Sequence, residues 1–179
     1  MKVLRASAIV LLILIGPVSW GQEKSYTDNM MVNPSGKEDI KVVTNYIDAL
    51  MGHKMDIAAD LLSDSYVGSG PSFGETETKA EYINFWKEAH AVRSNQNKDF
   101  VSHSFRVVDG NLKGDWVSIW GTYTFTQNTI EVNLPYPLTA MVTNGKIARS
   151  NIYYDKLAIN TAMGYELTIQ KTIEPYLKA

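Results

Sequence analysis

The chain has 179 residues, no cysteine, and 17 basic against 19 acidic residues. That composition excludes disulfides, thiol nucleophiles and Cys-ligated metals, and without a basic stripe it argues against a nucleic-acid partner. The length suits one domain with a core that needs no covalent staples.

Residues 1–21 read as a signal peptide. Lys2 and Arg5 precede the apolar run Ala8–Ile15, then Gly16-Pro17 and the small-residue site Ser19-Trp20-Gly21. The run is too short to span a bilayer comfortably, so cleavage before Gln22 and a secreted or periplasmic protein with no stable membrane insertion are expected. Residues 22–34 are polar and aperiodic, and read as a linker. Residues 35–179 then form a single domain.

Ser35-x-x-Glu38 has the form of a capping box. Ile40, Val43, Ile47 and Leu50 follow at helical spacing up to Gly52, which predicts a helix over Lys37–Met51. A short helix is expected over Met55–Leu62. Tyr66-Val67-Gly68 begins a strand, and Gly68–Gly74, with Pro71, is a loop or a sharply bent strand. Thr78-x-x-Glu81 is a second capping box. After it Tyr82, Phe85, Trp86, Ala89 and Val92 give a wide apolar stripe, hence a third helix over Lys79–Val92. Ser94–Lys98 reads as a polar loop.

From Phe100 the period changes to two. Phe100–Val108 ends at Asp109-Gly110, and Asp115–Gln127 is a longer strand of β-branched and aromatic residues. Ile130–Thr143 and Lys146–Asp155 flank Asn144-Gly145, the pair that favours a two-residue type I′ turn because both residues need φ > 0. Pro135 and Pro137 place the first half of that hairpin at an edge or bulge. Leu157–Met163 is helical in pattern, and Tyr165–Leu177 is read as a C-terminal helix. Helices first and long strands afterwards make an α+β fold, three N-terminal helices packed on a curved, mainly antiparallel sheet.

If the hairpin register is unbroken, one face carries Leu134, Tyr136, Leu138, Ala140 and Val142 with Ile147, Arg149, Asn151, Tyr153 and Asp155. That face is apolar near the turn and polar far from it, as the wall and mouth of a pocket would be. Tyr46, Tyr82, Trp86, Tyr123, Tyr136 and Tyr153 are candidate aromatic walls for a small apolar ligand, or alternatively plain core. Arg149 and Asn151 would contact the ligand or face solvent. His103 shares strand parity with Val101, Phe105 and Val107. That face reads as the core-facing one, so His103 would enter the cavity as a candidate catalytic group, the alternative being a packed, hydrogen-bonded histidine. His53, His90 and His103 have no metal-ligand spacing, so no metal site and no cofactor are expected. No nucleophile motif or Gly-rich phosphate loop is present.

Several of these segments resemble one family. They are Tyr46–Ala49 with Gly52, the run Met55–Leu62, Gly74, Val117–Thr122, Asn144-Gly145-Lys146-Ile147, and Tyr154-Asp155 with Leu157 and Met163-Gly164. In order and spacing they are similar to the SnoaL-like branch of the nuclear-transport-factor-2-like (NTF2-like) superfamily, over Lys37–Gly164. The resemblance implies a cone with an open mouth. It also implies a catalytic role for Asp155, because polyketide cyclases of this branch use an aspartate near this position together with a histidine on the preceding strand. Here Ala140 and Met141 stand where that histidine would be, which argues against the cyclase mechanism. Capping of a helix from Lys156 is the other use of Asp155.

The superfamily includes isomerases, dehydratases, cyclases and simple binders, so the fold does not choose the function. The expected function is an exported domain that binds a small apolar molecule. Proton-transfer catalysis through Asp155 is the alternative, and a protein-interaction module through the sheet face is a third reading. Trp116 and Trp120 on one face of Asp115–Gln127 further predict a homodimer through that face, as the resemblance also implies.

Overall fold

The computed structural model describes residues 29–166 and 168. The signal peptide expected over 1–21 lies outside them, as does nearly all of the C-terminal helix expected over Tyr165–Leu177. The first helix, α1, spans Gly36–Met51 and buries Val43, Tyr46, Ile47, Ala49 and Leu50. Its N-terminus differs from the expected capping box, since Ser35 makes no side-chain cap bond. Asn33 takes over that end: it accepts from the Ser35 N–H at 2.9 Å and donates to Asp39 at 2.7 Å. Residues 29–34, the described part of the stretch expected as a linker, include a short strand. Met30–Met31 form strand β1, paired with Val107 and Arg106.

At the other end of α1 the left-handed residue is His53, with φ 58°, rather than Gly52. The Lys54 N–H reaches back to Ala49 O at 2.8 Å, and the chain turns into α2, Met55–Leu61. Helix α3, Lys79–Val92, starts at the predicted capping box. Glu81 N–H donates to Thr78 Oγ1 at 3.4 Å, and Thr78 N–H donates to Glu81 Oε2 at 2.8 Å. Its buried face carries Tyr82, Ile83, Trp86 and Ala89.

The strands are β2 (Leu62–Ser69), β3 (Thr76–Thr78), β4 (Ser94–Val107), β5 (Gly114–Gln127), β6 (Ile130–Thr143) and β7 (Lys146–Ile152), followed by helix α4 (Lys156–Ala162). They form one seven-stranded sheet in the order β1-β4-β5-β6-β7-β2-β3. Every pairing is antiparallel except β2 with β7. The architecture is α+β, with the helices packed on the concave side. Phe125, Ile119, Val117, Ile147, Leu62 and Val43 are fully buried between the layers. Ser94–Lys98, expected as loop, belongs to β4 and holds a register shift between Ser94 and Asn97. Pro135 and Pro137 pair with β5 on one side. The β7 ladder stops at Leu138↔Ile152; beyond it the Pro137 carbonyl still accepts the Tyr153 N–H at 3.2 Å, while the missing proline N–H groups leave no donors to extend the pairing.

Asn144 and Gly145 form the expected turn, with φ 52° and 72°. Thr143 faces Lys146 and Val142 faces Ile147, but Met141 faces Arg149, so Ala148 is an extra residue in β7. One bulged residue exchanges the two faces of everything beyond it. The inner set is therefore Ile147, Ser150, Ile152 and Tyr154. Arg149, Asn151 and Tyr153, expected on the pocket face, lie on the other one. Ser150 is buried and shares a 2.6 Å hydrogen bond with the Tyr66 hydroxyl.

The outer sheet face is defined by Phe105↔Trp116, His103↔Ser118 and Val101↔Trp120. His103 thus lies outside, edge-on to Phe105 and Trp120 with centroids 5.3 and 5.9 Å away. The inner positions of β4 are Lys98, Phe100, Ser102 and Ser104, so the expected inward face of His103 is corrected. Both faces of β4 carry apolar side chains, and parity alone does not say which one meets the helices. Trp116 is only 3% exposed and donates its indole N–H to Leu112 O at 2.7 Å, so the β4–β5 turn covers it. Trp120 remains 51% exposed.

Candidate functional site

Between the helices and the concave sheet lies a cavity of about 700 Å³. Helix α1 contributes Tyr46, Ile47 and Leu50, and α3 contributes Tyr82, Phe85 and Trp86. The sheet contributes Tyr123, Leu134, Tyr136, Leu138 and Ile152. The β2–β3 loop, with Glu75 and Glu77, and the start of α4, with Lys156 and Ile159, frame the rest. These side chains converge because each wall presents its apolar stripe to the same space: every third or fourth residue on the helices and every second residue on the strands.

Five of the aromatic residues singled out in the sequence line this cavity: Tyr46, Tyr82, Trp86, Tyr123 and Tyr136. Arg149, Asn151 and Tyr153 are not among its lining residues, for the reason given by the bulge. Asp155 is exposed and caps α4, accepting the Ala158 N–H at 2.8 Å. Neither Asp155 nor His103 lines the cavity. Sequence reasoning missed Glu77, Arg93, Lys98, Ile152 and Tyr154. Glu77 was legible in principle, since it stands one residue before the Thr78 N-cap. Three-residue β3, however, is too short to show a period.

The rings form a connected lining. Tyr82 lies 6.5 Å from Tyr46 and 5.9 Å from Tyr66, and Trp86 lies 5.7 Å from Tyr123, centroid to centroid. Burial raises the Tyr46 phenol well above its ordinary value, raises Tyr82 and Tyr154, and pushes Tyr136 up to about 12. These hydroxyls are protonated, and able to donate, at any physiological pH. The Glu77 carboxyl is also raised, by burial first and then by the charges of Glu81 and Glu75. Among the described residues, three buried polar atoms lack a hydrogen-bond partner: Tyr46 Oη, Trp86 Nε1 and His90 Nε2. The first two belong to cavity-lining residues, and orphaned donors of this kind are uncommon in folded proteins.

A second polar cluster adjoins the cavity. His53 stacks on His90 at 3.8 Å, and the Gln96 amide nitrogen sits 2.8 Å from His90 Nδ1 and 3.3 Å from His53 Nε2. Tyr123 donates to Gln96 Oε1 at 2.5 Å. Burial and the neighbouring His53 lower the His90 pKa, so its ring is neutral at physiological pH. Among the described residues no group of three or more His, Cys, Asp or Glu is placed to hold a metal ion.

The SnoaL-like domain family matches the chain over residues 43–150. No curated protein matches it. Among solved structures, a SnoaL-like candidate polyketide cyclase from Shewanella putrefaciens CN-32 is 13% identical with a TM-score of 0.57, covering 72% of this chain and 98% of its own. A candidate polyketide cyclase from Pseudomonas putida KT2440 is 19% identical with a TM-score of 0.54, covering 66% and 92%. An LEH-like epoxide hydrolase from M. tuberculosis is 17% identical with a TM-score of 0.54, covering 72% and 91%. At these identities the likeness is one of fold.

Proposed function

The chain belongs to the SnoaL-like domain family, and from that premise we propose that it is an exported protein that holds a small, largely apolar molecule in the cavity between its helices and sheet. The observation that carries this reading is the cavity itself. Its volume of about 700 Å³ falls within the usual range for small-molecule sites, its walls carry seven aromatic side chains, and two lining residues hold unpartnered donors. A bound carbonyl, ether or hydroxyl oxygen would give those donors an acceptor. Simple binding is favoured over proton transfer through Asp155, because that carboxylate is engaged at the start of α4 and His103 faces the other side of the sheet.

Native mass spectrometry of protein recovered outside the cytoplasm tests the reading. The expected species starts at or near Gln22 and carries a noncovalent adduct the size of a small molecule. Leu134→Trp, which places an indole on the cavity wall, is expected to weaken that binding on the order of tenfold or more, the scale of one misfit group in an apolar pocket. An intact Met1 on cytoplasmic protein would end the export reading. Protein with no adduct and no uptake of apolar probes would end the binding reading.

We propose also that two copies pair through the outer sheet face around Val101, His103, Phe105 and Trp120. The support is narrower than the sequence suggested, since Trp116 is covered within its own chain and Trp120 with Val101 supplies the exposed apolar surface. Sedimentation equilibrium is expected to show a dimer that Trp120→Glu converts to a folded monomer. A wild-type monomer at high micromolar concentration would rule the pairing out.

A further inference from the structure

The charged groups lining the cavity do not all have the same freedom. Lys98 pairs with Asp48, and its ammonium also lies 5.0 Å from the Phe100 ring centre. Lys156 donates to Glu75 at 2.9 Å. Arg93 spreads its guanidinium over Phe125, 4.3 Å from the ring centre, and points Nε–H at Gln127. Among the described residues the Glu77 carboxylate has neither an ion pair nor a hydrogen bond; Glu81 and Glu75 repel its charge, and the Lys156 ammonium, itself paired with Glu75, attracts it only from beyond ion-pair distance. Glu77 is the half-buried middle residue of β3, between exposed Thr76 and Thr78, and its side chain lines the cavity.

We propose that the cavity selects an apolar ligand carrying a positively charged nitrogen, with Glu77 as the counter-charge and the tyrosine and tryptophan rings as the surrounding wall. This rests on the reading of the cavity as a ligand site. A carboxylate removed from part of its water is costly without a partner, and a ligand cation supplies one. The walls favour the same ligand, because aromatic faces attract an ammonium group within about 6 Å of their centres. Glu77 also lies within electrostatic reach of the phenols of Tyr46, Tyr66, Tyr82 and Tyr154, each of which its negative charge helps keep protonated. A neutral alcohol could donate to Glu77 but would leave its charge uncompensated, and a carboxylate would be repelled.

Three probes with one apolar body separate these cases: 4-phenylbutylamine, 4-phenylbutan-1-ol and 4-phenylbutanoate, titrated calorimetrically into the whole mature protein. The amine is expected to bind about tenfold tighter than the alcohol, and the carboxylate weakest. In Glu77→Gln the advantage of the amine should vanish while alcohol binding holds. In wild type the advantage should fade as pH falls through the Glu77 titration, since protonation removes the counter-charge, and the Gln variant should show no such fade. Equal binding of amine and alcohol overturns the inference, as does an advantage that survives Glu77→Gln or a preference for the carboxylate. In all three cases the cavity still binds, so the ligand-site reading stands. If none of the three binds, the ligand-site reading falls and takes this inference with it.

Discussion

Phe125→Ala is expected to destabilise the protein by about 3–5 kcal/mol, the usual cost of deleting a buried phenyl ring. Phe125 is fully buried on the inner face of β5. Its ring stacks on Tyr123 with centroids 5.1 Å apart and lies beneath the Arg93 guanidinium. Truncation would forfeit the transfer energy of the ring and leave a void that the flanking strands cannot close, because each is held by its own ladder. It would also remove the surface on which Arg93 lies. Urea unfolding should show a lower midpoint with an unchanged slope. Against a total stability of about 5–15 kcal/mol for a domain, the loss is large enough to show as poor expression at 37 °C. A loss below about 1 kcal/mol would mean that this part of the core repacks freely, contrary to the packing described.

Gly121→Ala is expected to cost about 3 kcal/mol or more, the upper end of overpacking penalties, and to do so by steric contact rather than by backbone conformation. A methyl carbon on Gly121 would stand 1.9 Å from Asp99 O and 2.6 Å from Phe100 Cα. Both are backbone atoms of β4, so no side chain can rotate away. Relief requires separation of β4 from β5 around Phe100↔Gly121, well inside their ladder. Gly145→Ala is the informative control. Gly145 has φ 72°, and a methyl group there would meet nothing within 4 Å. Its cost should be only that of a left-handed alanine, about 1–2 kcal/mol. Thermal melts of the two variants should therefore separate clearly. Equal melting temperatures would show that the two strands can part at little cost.

Where the physics is local, the sequence was readable. The Thr78–Glu81 capping box and the stripe from Tyr82 to Val92 set α3 to its observed ends, because a cap and a 3.6-residue period both act within a few residues. Asn144-Gly145 made the turn for the same reason. The aromatic residues of α1, α3, β5 and β6 reached the cavity because each lies on the apolar stripe of a long, regular element.

What failed depended on contacts distant in sequence, or on a single irregular residue. Ser35 has the right spacing for a cap, yet Asn33 is better placed once β1 is pinned to β4. Asp155 shows only its local role in the chain, at the start of α4.

By itself the sequence determined the order of the long elements, the α+β class, the hairpin and the aromatic residues of the cavity wall, since these follow from periodicity and turn chemistry within short windows. Only the tertiary structure decided which face of each strand looks inward. The extra residue Ala148 exchanged Arg149, Asn151 and Tyr153 for Ser150, Ile152 and Tyr154. The packing of α1 against the face of β4 that carries Lys98 and Ser104 turned His103 outward. β3, too short to carry a pattern, brought Glu77 to the cavity wall. A period of two states that alternate residues share a face, but the side on which that face is buried is set by the helices that cover it.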